Sequence, residues 1–318
     1  MTADGLSDSD ATPLDDAARA AWLYYVAGKT QDQIAKQLGI SRQRAQRLVS
    51  KAMAEGLVHV RLEHRISRCM ELESALAARF GLELCRVAPG LGAAADPVKS
   101  IAPVAAAEME RIFQRPEPQV IALSTGRTLR ATVEELTRMV VEHHRIVSLI
   151  GNVAPDGSAS YYDVIIRIAD KIRAPHFPMP VPVIADSSAD REMFQALPPV
   201  RRVSGMAANA DVCFVGLGQM TDTAPLYTDG FISRDELADM QGRGAVGEIA
   251  GWVFDSEGRY ISGGTNGRIC AVSVSADSQK LVVGIGAGAE KRATIAAALK
   301  GRLINGLITD ERTAESLI

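Results

Sequence analysis

The chain has 318 residues, 47% hydrophobic and 23% charged, a composition typical of globular proteins and a length that suits about two domains. This length excludes a small scaffold that depends on disulfides or a metal. The longest apolar runs fall far short of the roughly 18 to 20 residues that cross a bilayer, and the acidic start of the chain does not suit a secretion signal. We therefore predict a cytoplasmic protein that does not bind a membrane.

Four cysteines, Cys69, Cys85, Cys213 and Cys270, are spread along the chain. None belongs to a Cys-x-x-Cys pair, and no histidine stands at the spacing of a metal ligand beside them. We therefore expect reduced thiols with a structural role, no metal site and no cofactor.

Charge is distributed unevenly, although the net charge is only −3. Residues 1–16 hold five Asp and no base, residues 17–68 hold ten bases and three acids, and residues 69–318 hold 25 bases and 30 acids. We predict a disordered acidic N-terminus over 1–16 and a basic domain over 17–68. Such a domain is typical of proteins that bind the phosphate backbone of nucleic acid, but a solvated helical face has the same signature.

The basic segment predicts several helices. The apolar residues of the first recur at the spacing of one helical face: Ala18, Ala21, Trp22, Tyr25 and Val26. Gly28 stops this helix. Thr30, with Gln33 three residues later, has the signature of a capping box, so it predicts the start of a second, short helix that ends at Gly39.

A third helix is predicted to begin after Ser41, a good N-cap residue, and to end at Gly56. Its apolar residues keep the helical spacing: Ala45, Leu48, Val49, Ala52 and Met53. Two helices joined by a tight turn that contains glycine are the layout of a helix-turn-helix motif.

The outward face of the third helix is polar and basic near its N-terminal end. It carries Arg42, Gln43, Arg44, Gln46, Arg47 and Ser50. A recognition helix reads base edges with its N-terminal residues, and Arg suits guanine as Gln suits adenine. We predict that Ser41 and the Arg and Gln residues of this face bind double-stranded DNA. A basic helical bundle that binds another protein is the alternative.

Two further elements are predicted before the larger part of the chain. Residues 57–62 alternate apolar and polar, which predicts a strand or wing with His59 and Arg61 facing outward. Residues 69–82 predict an amphipathic helix whose apolar residues are Leu72, Ala75, Leu76 and Phe80. This helix either links two domains or pairs with its copy in a second chain, and we favour the linker.

From residue 83 onwards, short β-rich runs alternate with helical segments. The predicted strands cover residues 84–88, 120–124, 146–150, 181–184, 212–217, 269–274 and 281–285. Helical periodicity covers residues 129–141, 162–172 and 294–299. This alternation predicts an α/β sheet with helices on both faces.

One junction between a predicted strand and a predicted helix has the composition of an anion site. Hydroxyl, glycine and arginine residues follow the strand there: Ser124, Thr125, Gly126, Arg127 and Thr128. The first N–H groups of the helix, these hydroxyls and the guanidinium can together hold a phosphate. The alternative is a capped helix with an empty loop.

Residues 284–289 match the pattern G-x-G-x-x-A directly after a strand. Only 29 residues follow, too few for the remaining strands of a dinucleotide-binding fold, so we predict no NAD site. We expect a tight strand-to-helix turn whose Lys291 reaches an anion in the same crevice. A solvated Lys291 on the helix surface is the alternative.

Several segments carry a family pattern together. They are 41–58 (SRQRAQRLVSKAMAEGLV), 124–129 (STGRTL), 210–218 (ADVCFVGLG), 247–249 (GEI) leading to Phe254-Asp255, and 291–310 (KRATIAAALKGRLINGLITD). The chain resembles, over nearly its whole length, the SorC/DeoR-type sugar-responsive transcriptional regulators of bacteria.

This resemblance implies a DNA-reading domain over 17–68 and a Rossmann-like α/β effector domain over 83–318. The effector domain would be similar to ribose-5-phosphate isomerase and glucosamine-6-phosphate deaminase. The implied partners are operator DNA, a sugar, polyol or phosphosugar effector, and further copies of the chain in a homodimer or homotetramer.

The resemblance also assigns roles to residues. The loop over 124–128 matches a phosphate-cradling loop, and Lys291 matches a base after the last glycine turn. Gly216 and Gly218 match a loop under the sugar, and Glu248 is a candidate for binding its hydroxyls. The pattern departs at Asn152, where family members often have a second glycine.

The same comparison separates a regulator from an enzyme. Deaminase-like relatives place Asp-Gly-His after the glycine loop, whereas Gln219-Met220-Thr221-Asp222 follow here, so the histidine general base is missing. We predict a regulator of a carbohydrate or polyol catabolic operon. A phosphosugar isomerase or deaminase with an accessory helix-turn-helix is the alternative.

The predicted effector is a phosphorylated sugar or polyol, because two cations and a helix N-terminus would favour a phosphate. In the competing interpretation, Arg127 turns outward to an ion pair. The loop then binds a free polyol, and Glu248 accepts hydrogen bonds from its hydroxyls.

Overall fold

The computed structural model describes residues 13–58, 67–92, 95–154, 156–157, 164–275 and 280–318. Contacts between residues divide the chain into two compact units, Met1–His64 and Arg65–Ile318. Within the described residues, no helix combines the length and the apolar content that a bilayer span requires.

The described part of the first unit contains the helices α1 Pro13–Tyr25, α2 Gln31–Leu38 and α3 Arg42–Ala54. The Thr30 hydroxyl accepts a hydrogen bond from the Gln33 N–H, and the Gln33 side chain accepts one from the Thr30 N–H. This capping box starts α2, as predicted. Gly39 ends α2 at a φ of 65°, a left-handed conformation that glycine adopts without strain. The helix-turn-helix prediction is confirmed.

The buried face of α1 differs from our prediction. The side chains that α1 packs inward are Ala17, Ala20, Ala21 and Leu23, whereas Trp22 is 58% and Tyr25 41% exposed. Ala18 and Val26 are exposed as well. The inward alanines pack against small residues of α3 such as Ala45, and this close approach leaves no room for an indole between the helices.

The start of α1 also differs from the predicted boundary. Because α1 begins at Pro13, residues 13–16 are helical, although we assigned them to the acidic terminus. Proline suits the first helical turn, and Asp15 and Asp16 suit the positive end of the helix dipole. Of the predicted wing over 57–62, residues 57 and 58 belong to no regular element, and residues 59–62 lie outside the described residues.

The second unit contains an α/β sheet domain and a small antiparallel sheet. Its strands are β1 Leu84–Ala88, β2 Val120–Leu123, β3 Arg145–Val153, β4 His176–Pro182, β5 Val212–Gly216, β6 Gly218–Gln219, β7 Ala245–Ile249, β8 Trp252–Asp255, β9 Leu281–Ile285 and β10 Gly306–Asp310. Its helices are α4 Ser67–Phe80, α5 Pro97–Phe113, α6 Arg127–Glu135, α7 Ile165–Ile172, α8 Ser188–Ala196, α9 Pro198–Ala208, α10 Pro225–Thr228, α11 Arg234–Gly242, α12 Arg292–Lys300 and α13 Glu311–Leu317. Short 3-10 helices cover Gly264–Gly267 and Ala289–Lys291.

Seven strands form a parallel sheet in the order β1-β10-β9-β5-β2-β3-β4. The chain runs from β2 through β3 and β4 towards one edge. From β5 it runs through β9 and β10 towards the other edge. The strand order therefore reverses between β2 and β5, the place where open α/β sheets bind their ligands.

Alternate residues of the strands enter two separate hydrophobic cores. On one face, Cys213 and Val215 of β5 pack with residues of α4, α9 and α12. On the other face, Val212 and Phe214 pack with residues of α5, α6 and α7. A sheet buried on both faces is what an all-parallel arrangement requires, and the predicted α/β domain is confirmed.

Several elements of the second unit differ from the predictions. Residues 269–274 do not form a strand, since Ile269 and Ala271 make only isolated bridges to Ile184 and Ile150. The strand β10, which pairs with the edge strand β1, and the small sheet of β6, β7 and β8 were not predicted, because these strands are only two to five residues long. The predicted linker helix is present as α4 and lies in the second unit, with Leu72 in its core.

All four cysteines are buried free thiols. Burial raises the pKa of the Cys85 thiol to about 12 and that of the Cys213 thiol to about 11. Because the thiolate is the reactive form, both thiols are inert at neutral pH.

Candidate functional site

The N-terminal part of α3 presents a row of polar side chains to solvent. The residues predicted to contact DNA are all exposed: Ser41, Arg42, Gln43, Arg44, Gln46 and Arg47. The Ser41 hydroxyl accepts a hydrogen bond from the Arg44 N–H at 3.2 Å and so fixes the start of the helix. The opposite face of α3, which includes Ala45 and Val49, is buried.

The arginines of α3 have weak partners within the first unit. Arg42 lies 3.5 Å from Asp32, and Arg44 lies 3.9 Å from Asp16. The Arg47 guanidinium donates a hydrogen bond to Gln43 at 3.2 Å. Exposed ion pairs of this kind contribute between zero and about 1 kcal/mol, so these side chains can exchange them for phosphates or base edges at small cost.

A second polar site lies in the second unit, where the strand order reverses. Ser124 follows β2, and its buried hydroxyl accepts a hydrogen bond from the N–H of Gly216 at the end of β5. The Ser124 N–H donates to the Phe214 carbonyl at 3.1 Å. These bonds join the carboxyl ends of β2 and β5. We call the polar site at this junction the crevice, and Ser124 and Gly216 form its floor.

The loop after β2 leads directly into α6. Gly126 has a φ of 128° and precedes the helix without any side-chain cap. Thr128 is buried in the first turn, whereas Thr125 and Gly126 remain partly exposed. Gly126 supplies no side-chain cap to the first turn of α6. The first N–H groups of a helix are the ones that can bind an acceptor, and phosphate binding by this loop stays a prediction.

Arg127 extends from this loop to an ion pair. Its guanidinium lies 2.5 Å from the carboxylate of Asp229, just after α10, and its side chain is 56% exposed. An ion pair of this kind was expected in the competing interpretation of the sequence, in which Arg127 turns outward and the loop binds a free polyol. Asp229 was not predicted, because 102 residues separate it from Arg127.

Lys291 reaches the crevice from the 3-10 helix that follows β9. Its ammonium group donates a hydrogen bond to the Leu217 carbonyl at 2.7 Å. Burial lowers the pKa of Lys291, and the nearby Arg127 lowers it further, while Glu248 acts in the opposite direction. Lys291 therefore lies beside Leu217, near Glu248 and Arg127, and is partly buried; anion binding by this lysine stays a prediction.

Glu248 lies in β7 and faces the same crevice. Its carboxylate accepts a hydrogen bond from the Gly251 N–H at 2.7 Å. Burial raises the pKa of Glu248, while this hydrogen bond and the charge of Lys291 lower it. Gly218 pairs with Glu248 across the antiparallel sheet, and a Cβ at position 218 would overlap the glutamate carboxyl.

Gln219 follows Gly218 in β6 and contacts Glu290, the residue before Lys291 in the chain; it was not predicted to be a site residue. Its amide nitrogen donates to Glu290 at 3.3 Å and to the Thr223 carbonyl at 3.4 Å. Its amide oxygen is buried without a hydrogen-bond partner among the described residues. A hydroxyl donor can satisfy this oxygen, but a phosphate, which at neutral pH is chiefly an acceptor, cannot do so as well.

The comparisons with known proteins cover both units. Residues 64–318 match a family described as "Putative sugar-binding domain", and residues 13–61 match a homeodomain-like domain. The erythritol catabolism regulatory protein EryD of Brucella abortus (strain 2308) is 38% identical over 302 residues, which cover 95% of this chain and 96% of that protein. The transcriptional regulator LsrR of Enterobacter sp. (strain 638) is 32% identical over 306 residues, which cover 95% and 92%.

A solved structure matches the whole architecture. The full-length sorbitol operon regulator SorC of Klebsiella pneumoniae superposes with a TM-score of 0.74 at 26% identity, over 97% of this chain and 99% of that one. Both the helix-turn-helix and the parallel-sheet domain therefore have counterparts in one regulator.

Proposed function

This chain belongs to the sugar-binding SorC family of helix-turn-helix transcriptional regulators, and from that premise we propose that it controls an operon for the catabolism of a small polyol. In this proposal, α3 reads the operator and the crevice binds the polyol. The exposed polar N-terminal half of α3 is the observation that supports DNA binding most directly.

The proposed effector is a free polyol, which the charges of the crevice favour over its phosphate. Arg127 is paired with Asp229, and Lys291 faces both a carbonyl and Glu248. The buried oxygen of Gln219 has no donor among the described residues, and every hydroxyl of a polyol supplies one. The relative EryD supports the same class of effector, because its name refers to erythritol catabolism.

In the proposed mechanism, two copies of the chain read a palindromic operator in a homodimer or homotetramer. One helix-turn-helix contacts few base pairs, so specificity comes from two recognition helices that lie one helical turn of DNA, about 34 Å, or a multiple apart. The polyol changes DNA affinity only if it binds two arrangements of the oligomer unequally, and coupling of about 1 to 3 kcal/mol is typical.

We also propose that the second unit is an effector domain and not an enzyme, and that the domain includes α4 and begins near residue 65. The lone histidine buried in the described residues, His144, hydrogen-bonds to the Phe113 carbonyl and the Gln119 N–H at the far end of β3. It is thus remote from the crevice and from any role as a general base there. A regulator of this kind acts in the cytoplasm, where bacterial DNA is found.

A gel-shift experiment tests this function. The DNA is the intergenic region beside the gene of this protein, and the competitor is a scrambled fragment of the same composition. We expect specific binding that changes at least fivefold when erythritol or another four- to six-carbon polyol is added. Equal binding to both DNA fragments would contradict the regulator proposal. Specific binding that no polyol, sugar or phosphate alters would contradict the effector role of the crevice.

A further inference from the structure

The outer face of α1 is apolar and uncovered in the described first unit. Large side chains on this face, and Val26 directly after the helix, have high exposure: Leu14 44%, Trp22 58%, Tyr25 41% and Val26 68%. With Ala18 they form a continuous stripe, because residues three and four apart are neighbours on a helix. Single apolar side chains on a surface need no explanation, but a contiguous stripe marks a contact surface. We propose that this stripe binds the same stripe on a second copy of the chain, with the two α1 helices antiparallel.

The residues of the stripe are complementary to one another in that arrangement. In a two-fold pair, each contact occurs twice, so a pair centred between residues 18 and 22 places each Trp22 indole over the small Ala18 of the other copy. The same register puts Leu14 beside Val26. At the centre of the pair a large side chain then faces a small one, which is how packed helices interdigitate. A parallel pair would instead place the two Trp22 side chains against each other.

The charges at the ends of α1 favour the same orientation. The first turn is acidic, with Asp15 and Asp16, and Lys29 follows the end of the helix. Antiparallel pairing brings the acidic turn of one copy towards Lys29 of the other and aligns the helix dipoles favourably. Asp16 already pairs with Arg44, and Lys29 contacts Gln37. The charges therefore contribute to orientation more than to affinity.

The small size of the stripe determines the conditions under which two copies would pair through it. A 13-residue helix is about 20 Å long, and two such helices bury less than the roughly 1,200 Å² of a stable interface. The first units therefore pair only when something else holds them close, such as contacts of the larger units or adjacent half-sites. Because α1 packs on α3, this pairing would set the separation of the two recognition helices. In this respect the inference rests on the proposed function.

Cross-linking of the full chain tests the arrangement. All four native cysteines are buried, so we expect any covalent dimer to form through the introduced thiols only. We expect the variant Ala18→Cys/Trp22→Cys to form a covalent dimer under mild oxidation, because residue 18 faces residue 22 across the pair, while each single variant remains largely monomeric on a non-reducing gel. The matched control is Met53→Cys/Leu57→Cys, whose positions are 43% and 44% exposed but lie outside the stripe. Cross-linking no greater than in this control, or equal cross-linking of the single variants, would overturn the proposal.

Tryptophan emission gives a second readout. The chain has two tryptophans, so Trp252→Phe leaves Trp22 as the only tryptophan that emits. We expect its emission to move to shorter wavelength as the protein assembles, and Ala18→Glu to abolish that shift without loss of helical circular dichroism. If Trp22 stays solvated in an oligomer that binds its operator, the surface proposal fails and the regulator proposal stands. If the cross-link forms in a protein that binds no DNA, the regulator proposal fails and the surface proposal stands.

Discussion

Gly218 and Glu248 face each other across the first pair of strands in the small antiparallel sheet, and the space that a Cβ would occupy on Gly218 is filled by the Glu248 carboxyl. The missing side chain at position 218 therefore lets the carboxylate lie flat over the sheet, where the Gly251 N–H holds it. The position of the Glu248 carboxylate in the predicted crevice thus depends on the absence of a side chain at residue 218.

Replacement of Gly218 tests this dependence. We expect Gly218→Ala to displace the Glu248 carboxyl and to weaken the binding of a polyol about tenfold or more. In the presence of ligand, the shift in melting temperature would shrink accordingly. Gly205→Ala is the matched control, because Gly205 lies within α9 with open space around its Cα and alanine favours a helix. An undiminished ligand-induced shift in Gly218→Ala would show that Glu248 does not bind the effector.

The turn after Glu248 allows a stability prediction. Ala250 has a φ of 51° and Gly251 a φ of 81°, the left-handed values that a two-residue hairpin turn requires. We expect Ala250→Gly to raise the free energy of unfolding by about 0.5 kcal/mol, because glycine adopts this φ without strain. Gly251→Ala should instead lower it by about 1 kcal/mol or more, because its Cβ would lie 2.9 Å from Ile269. Chemical denaturation measures both values, and a loss of stability in Ala250→Gly would contradict the argument.

The sequence predicted the local features of both units well. The caps at Thr30 and Ser41 and the loop from Ser124 to Thr128 depend on residues that are close along the chain, so their patterns can be read directly. Trp22 could not be placed, because α1 is apolar on more than one side and only the alanines of α3 decide which side packs inward. Helical periodicity identifies an apolar face but not the neighbour that covers it.

Contacts in the crevice between residues distant along the chain could not be predicted from the sequence. Arg127 meets Asp229, and the charge of that carboxylate changes what the loop after β2 can bind. Gln219 was noted only as a departure from a catalytic pattern, yet its buried amide oxygen lacks a partner among the described residues. Such features follow from how loops at the carboxyl ends of distant strands converge, which local spacing does not encode.

His144 should make stability depend on pH. Its ring is fully buried, and burial lowers its pKa, with a smaller contribution from His143 in the same direction and an opposing one from the hydrogen bond to Phe113. The unfolded chain therefore binds a proton near pH 6.5 that the folded protein does not yet bind. Below that pH, the free energy of unfolding should fall by up to about 1.4 kcal/mol per pH unit from this residue, until the folded ring titrates too.

Denaturation between pH 5 and 8 checks this expectation. His144→Gln should flatten the acid side of the profile, while His176→Gln, a change at an exposed position, should leave it unchanged. The overall stability of His144→Gln will be lower, because the ring bridges two backbone groups. The slope with pH, and not the absolute value, is therefore the test, and an unaltered slope in His144→Gln would contradict the prediction.

The polar face of α3 should carry operator recognition. We expect Arg42→Ala/Arg47→Ala to weaken operator binding by about 1 to 3 kcal/mol for each side chain that reads a base, with relaxed specificity at the corresponding base pair. Removal of a side chain that binds a phosphate should instead lower affinity for every sequence and reduce the salt slope by about one. Both side chains are exposed, so the melting temperature should stay within about two degrees. Lys36→Ala on α2 is the matched control, and full affinity in a folded double variant would contradict the assignment.

Replacement of Arg127 can decide whether the effector is a neutral polyol or a phosphorylated ligand. For a free polyol, we expect Arg127→Gln to change the dissociation constant less than threefold, because that guanidinium already pairs with Asp229. For a phosphorylated ligand, the same change should remove a charge-assisted hydrogen bond of about 1.5 to 3 kcal/mol, which weakens binding roughly 10- to 150-fold. Arg130→Gln, in the same helix and paired with Glu134, is the matched control.

Isothermal titration at two salt concentrations completes this test. Binding of a neutral polyol should be nearly independent of salt, since no net charge is transferred into the crevice, whereas binding of its phosphate should weaken several-fold between 50 and 500 mM salt, which screens the attraction of Arg127 and Lys291. Lys291→Met separates the two cases further, because it removes the cation but preserves the length of the side chain. Strong salt dependence together with much weaker binding in both Arg127→Gln and Lys291→Met would overturn the free polyol and restore the phosphorylated effector that the sequence favours.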